Sequence, residues 1–184
     1  MKISINIKRV ALTAMTCFMT AFLPLLISTS EMFYTFSVPL LFSIAIPLTN
    51  FDRITTRKKY QAFLLSGILT VILFFISVPL ALFFGQTFLG QYSVFAICVL
   101  SGLLELTMNS IFIKIDNLKF GLLLTGFLAL SIPPLTTFLK GHTILGIDFF
   151  GDPATFFIIW QSVIGLAIAL AIWTKTNNTN TTQD

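Results

Sequence analysis

Between residues 92 and 113 the chain reads YSVFAICVLSGLLELTMNSIFI, an apolar run of membrane-spanning length with one acidic residue, Glu105, inside it. At about 100° per residue, Cys98, Ser101, Gly102, Glu105 and Asn109 fall within one narrow arc of a helix. Leu100, Leu103, Leu104 and Ile111 take the other side. One face is small and polar, and the other suits lipid. The spacing predicts a spanning helix whose Glu105 faces neighbouring helices or a cavity. No other apolar run in the chain encloses a charged residue.

Working outward, the same kind of run recurs. Val10–Ser28 follows the basic start Lys2, Lys8, Arg9 and resembles a signal peptide with small residues at Ser28, Thr29 and Ser30. It is longer than the usual h-region of roughly 7–15 residues and carries Thr13, Thr16, Cys17 and Thr20 along one face, so it reads as a retained first span. Ser30 is placed to cap the second, Met32–Asn50, in which Pro39 and Pro47 are tolerable if neighbouring helices satisfy the freed carbonyls. Gln61–Phe84 is the third span, with Ser66, Gly67, Thr70 and Ser77, and the Glu105 helix is the fourth. Asp116 or Asn117 can cap the fifth, Phe120–Leu139, where Pro133-Pro134 predicts a break or an end at Ile132. Asp152-Pro153 opens the sixth, Ala154–Thr174, with Trp160 and Trp173 toward its two ends as an aromatic belt and with Gly165/Ala169 and Ala167/Ala171 pairs suited to close helix contact.

The fold expected is therefore an all-α integral membrane protein, a bundle of six transmembrane helices. Residues 1–174 form one polytopic domain and 175–184 a polar, disordered tail. The composition agrees: 56% hydrophobic and 10% charged, with mean hydropathy +0.95, against roughly a quarter charged in soluble chains. Six spans put both termini on one side, together with Lys2, Lys8, Arg9, Arg53, Arg57, Lys58, Lys59, Lys114, Lys119 and Lys175, leaving Lys140 alone of the 11 basic residues on the other. That asymmetry makes the rich side cytoplasmic and the location a cell membrane, the inner one in a bacterium. It also accounts for the net charge of +4 without nucleic acid, because the basic residues flank spans and meet lipid headgroups. Cys17 and Cys98 both lie within spans, where a small apolar core role fits better than a disulfide or a metal.

The chemistry on offer is narrow. A carboxylate in hydrocarbon costs several kcal/mol, so Glu105 is either protonated or partnered, and no span supplies a basic partner. A proton-coupled, cation-binding or solute-binding site at Glu105, Asn109 and Ser101 is one outcome. A carboxyl hydrogen-bonded to a hydroxyl of the first or third span, pinning the bundle, is the other. His142, Asp148 and Asp152 share a loop at loose spacing, too weak a pattern for a metal site, and no cofactor is expected. No catalytic set is found: Ser101-Gly102 follows Val99-Leu100 rather than a glycine two residues before the serine, and His-Glu-x-x-His is absent.

The function expected is a small transporter, or a membrane-embedded substrate-binding subunit for a small solute, with the intramembrane carboxyl in the site. The alternative is a non-transporting scaffold or assembly factor of an envelope complex. Length and span count are similar to those of the substrate-binding subunits of vitamin uptake transporters, a likeness of architecture, since Ala11 is followed four residues later by Met15 and not by the alanine of their first-helix motif. Expected partners are the bilayer, a membrane protein or second copy of the chain, and a small molecule or ion.

Overall fold

An apolar run of about twenty residues can satisfy its own backbone polar groups only through i→i−4 bonds, so a helix is what it forms. A computed structural model describes residues 2–27, 31–56, 59–87, 92–139 and 153–177. Within them lie α1 Ile7–Ile27, α2 Glu31–Thr49, α3 Lys59–Thr87, α4 Ser93–Phe112, α5 Leu118–Ala129, α6 Ile132–Leu139 and α7 Pro153–Trp173. A short ribbon pairs β1, Lys2–Ile5, with β2, Thr174–Asn177, and a 3₁₀ turn covers Phe51–Arg53. The class is all-α. Lys59–Ser77, Ser93–Phe112, Leu118–Phe138 and Phe156–Trp173 are each long and apolar enough to cross a membrane, and Phe36–Thr49 is a shorter apolar stretch. Ser28 to Ser30, Arg57, Lys58, Lys140, His142, Asp148, Asp152 and everything beyond Asn177 lie outside the described residues.

The long helices close a ring in the order α1, α2, α3, α4, α5, α7 and back to α1, with α6 lying against α7 and α4. The loops 50–56 and 113–117 meet the ribbon at one end of the bundle, the basic end. There Ile54 bridges Ile113, the Lys114 N–H donates to the Arg53 carbonyl at 2.9 Å, and the Thr55 N–H donates to the Phe112 carbonyl at 2.8 Å. The ribbon differs from the disordered tail expected from Lys175 onward. Because α1 and α7 pack side by side, the two termini emerge together, and residues 174–177 find a strand partner that composition does not reveal.

The break expected in the fifth run is present. The run turns at Leu130–Ser131, and Pro133 and Pro134 occupy the first turn of α6, where the helix has no use for their missing N–H groups. A further expectation is corrected by packing: the tryptophans do not form a belt. Trp173 is buried at the basic end, its indole N–H donating to Asn50 Oδ1 at 2.6 Å. The Arg53 guanidinium stacks 4.6 Å from its ring and that of Arg9 5.4 Å away. Both arginines are also paired, Arg9 with Asp52 at 3.5 Å and Arg53 with Asp116 at 3.1 Å. Asp116 is thereby spent, and the cap of α5 falls to Asn117, whose Oδ1 accepts from the Phe120 N–H at 3.0 Å.

The core gathers on α7. Ile164, Ala167, Ile168, Ala169, Ala171 and Ile172 are fully buried, and the small residues set how near other helices come. A Cβ at Gly165 would stand 2.6 Å from Cys17 Cβ on α1, and one at Gly121 of α5 would stand 2.8 Å from Ala171 Cβ. The free cysteine Cys17 is thus a small packing residue in this contact. Gly126 has room, its nearest neighbour being Leu103 Cδ2 at 3.9 Å. Gly165→Ala is therefore expected to lose about 1–3 kcal/mol of stability by overpacking. Gly126→Ala should be neutral or gain up to about 1 kcal/mol from helix propensity. Thermal melting in detergent measures both, and equal melting of the two variants would refute the close α1–α7 approach.

Candidate functional site

The arc read on the fourth apolar run is buried as a unit: Cys98, Ser101, Gly102, Glu105 and Asn109 of α4 all face inward, while Leu100, Leu104 and Ile111 are exposed. Glu105 has no accessible surface. Its Oε1 accepts two hydrogen bonds, from Thr70 Oγ1 on α3 at 3.0 Å and from Asn109 Nδ2, one helical turn along α4, also at 3.0 Å. The same Asn109 nitrogen reaches the Glu105 carbonyl at 2.9 Å, so the amide clamps side chain and backbone together. Glu105 Oε2 is buried and has no partner. A buried polar atom left unmatched costs on the order of 1–3 kcal/mol, so each such atom calls for a physical account.

Thr70 reaches Glu105 because α3 is registered against α2 by a second hydroxyl one turn away. Ser66 Oγ donates to the Ser43 carbonyl at 2.9 Å, and Gly67 lies beside Ser43 Oγ. Thr70, four residues on from Ser66, shares its face and meets α4. On the opposite wall α7 brings in Trp160 and Gln161. The Trp160 indole N–H donates to Ser101 Oγ at 3.1 Å, and Ser101 in turn donates to the Ile97 carbonyl at 2.7 Å. Gln161 Nε2 donates to the Val38 carbonyl on α2 at 2.9 Å, while Gln161 Oε1 is buried without a partner.

Between these walls lies a cavity of about 320 Å³ bounded by α2, α3, α4 and α7. It extends from the level of Val94 and Phe156, near the end of the bundle far from the basic loops, inward to Thr70 and Glu105. Its sides are aromatic and aliphatic, with Phe42, Phe74, Phe156, Phe157 and Trp160 foremost. Phe74 and Phe157 meet across it with ring centres 5.3 Å apart, and Phe42 and Trp160 with centres 5.5 Å apart. An apolar pocket with a few convergent polar groups is the usual form of a small-molecule site.

Of the three residues predicted from sequence, Glu105 and Ser101 line the cavity, and Asn109 stands behind Glu105 and holds it. Thr70 was visible as one of several hydroxyls on its span, with nothing to single it out. Gln161 was missed, although an amide inside the run 154–174 is a signal of the same kind as Glu105. Trp160 was taken for a membrane-interface residue and instead belongs to the wall. No protein-family model, curated protein or solved structure matches this chain.

Thr70→Val removes one donor to the carboxyl and keeps the shape of the side chain, and is expected to cost about 1–3 kcal/mol. With Glu105→Leu already in place the same change should cost little, because no acceptor is left behind. A double-mutant cycle by thermal or denaturant melting should therefore give a coupling of about 0.5–3 kcal/mol. Strict additivity would mean that the two side chains do not share a bond.

Proposed function

We propose that this is a six-span membrane protein with both termini on the cytoplasmic side, working as a small transporter or as the membrane-embedded substrate-binding subunit of one. Support for the membrane comes from surface chemistry. Four helices have spanning length and hydropathy, and α1 adds 21 residues whose charges, Lys8 and Arg9, sit in its first turn. The outward faces carry Leu64, Leu65, Ile68, Ile72 and Phe75 on α3 and Leu123 and Phe127 on α5, all exposed. Apolar surface this continuous is unusual on a water-soluble monomer. Pairing of β1 with β2 supports an even number of spans, and the basic loops gathered at that end support a cytoplasmic orientation.

The observation that carries the solute-binding reading is the cavity that ends on Glu105, a carboxyl with one oxygen held and the other free of partners. In this orientation the cavity faces the non-cytoplasmic side and stops near mid-membrane, where transporters place their substrate sites. The scaffold reading draws on the other half of the same fact: Oε1 is bonded within the bundle, as a structural pin would be.

Two experiments separate these outcomes. A reporter active only outside the cytoplasm is expected to be active when fused after Gly85 or His142 and silent after Lys58, Lys114 or Lys175. Activity at Lys175 would mean an odd number of spans. Glu105→Gln keeps the shape and hydrogen-bonding capacity of a neutral carboxyl but cannot ionise. The variant is expected to melt within a few degrees of the parent yet fail to complement a deletion strain, whereas Glu105→Asp retains part of the function. Full complementation by both Glu105→Gln and Glu105→Leu would leave the scaffold reading in place.

A further inference from the structure

We propose that the molecule held in this cavity is an apolar amine, a hydrophobic body carrying one amine or ammonium head, with Glu105 and Gln161 receiving the head. The inference rests on the solute-binding reading and narrows it to a chemical class by accounting for donors and acceptors. The donors along the inner wall already have acceptors: Thr70 Oγ1 bonds Glu105, Ser101 Oγ bonds the Ile97 carbonyl, Trp160 Nε1 bonds Ser101, and Gln161 Nε2 bonds the Val38 carbonyl. The oxygens left over are Glu105 Oε2 and Gln161 Oε1, both buried on residues that line the cavity. The Gln161 amide cannot be turned over to offer its nitrogen, because the Val38 carbonyl needs a donor opposite it. With Glu105 ionised, a ligand that satisfies both atoms must donate.

The rest of the wall sets the body of the ligand. Apart from the Ser77 hydroxyl it is aromatic and aliphatic, so a sugar or nucleotide would lose its water and find too few partners to replace it. Among the described residues no Lys, Arg or His lines the cavity, so an anion would meet a carboxyl and no described cation to balance it. A volume of about 320 Å³ is at the small end of ligand pockets, roughly 300–1,000 Å³, and suits a single ring with a short arm. Aromatic faces at Trp160 and Phe42 add attraction for a cation. Proton accounting closes by either route. An amine that enters uncharged takes the proton from the Glu105 carboxyl onto its nitrogen lone pair. One that enters as ammonium keeps its own proton, and the carboxyl proton leaves to water at the open end. Both give one ammonium–carboxylate pair, as neutral overall as the empty protonated site.

The test uses the purified full chain in detergent and three probes of one shape: 2-phenylethylamine, 3-phenylpropionate and 2-phenylethyl methyl ether. Binding is followed by Trp160 fluorescence, since Trp173 lies at the other end of the bundle, and by the shift in melting temperature. The amine is expected to bind saturably, with the acid and the ether weaker by on the order of tenfold or more. Glu105→Gln should melt like the parent and lose amine affinity on the same scale, and Gln161→Met should lose part of it. Val94→Phe, which narrows the cavity near its far end, should weaken every probe that binds there. Amine binding unchanged in Glu105→Gln, or acid or ether binding as tight as amine, overturns the amine assignment. If the acid or ether is then displaced by Val94→Phe, the solute-binding reading stands without it. Saturable binding by none of the three overturns both.

Discussion

How closely other helices can approach α7 decides the shape of this bundle. With no side chain at Gly165, α1 comes within a methyl group's width, and with alanine at 171 the bare backbone of Gly121 lets α5 do the same on another face. Helices that meet this closely gain dispersion over many small contacts. Once α1 and α5 are fixed on α7, α2 and α4 follow as their neighbours, and α3 can only bridge α2 to α4. The cavity is the space that this order leaves between α3 and α7.

Polar contacts then divide the molecule into two levels. At the basic end, Trp173, Asn50, Arg9, Arg53, Asp52 and Asp116 form one network that ties both termini to two loops. Its members pair with one another, although Thr56 Oγ1 and Thr174 Oγ1 at the same end are buried without partners. Around Glu105 the network is smaller and incomplete: Oε1 is doubly bonded, Oε2 is not, and Gln161 repeats the pattern on the facing helix. A half-satisfied network in a low-dielectric interior is unfavourable by itself. What sets Glu105 and Gln161 apart from the other unmatched groups is that both line the cavity, which is the physical basis of the site proposed there.

Three of the prolines sit where a helix can accept them. Pro39 lies in the cavity wall, where α2 need not pack against a regular helical face, and Pro133 and Pro134 sit in the first turn of α6. Hydroxyls such as Ser43, Thr136 and Thr137 bond back to carbonyls within their own helices, which keeps polar groups paired inside an apolar body.

What the residues determine unaided is periodic or local. Runs of apolar residues specify the helices, the arc from Cys98 to Asn109 specifies which face of α4 is buried, and Asn117 beside Asp116 marks the start of α5. These follow because 3.6 residues per turn is a property of each segment alone. Tertiary structure decides which hydroxyl meets Glu105, since Thr70 lies 35 residues away. It also decides that Trp173 meets Asn50 and Gln161 meets Val38, each across 123 residues. Several serines and threonines on the first three apolar runs offer the same chemistry, and the order of the helices together with the Ser66–Ser43 bond selects Thr70. The ribbon at the termini has the same origin: four residues at each end become strands because packed helices deliver them side by side.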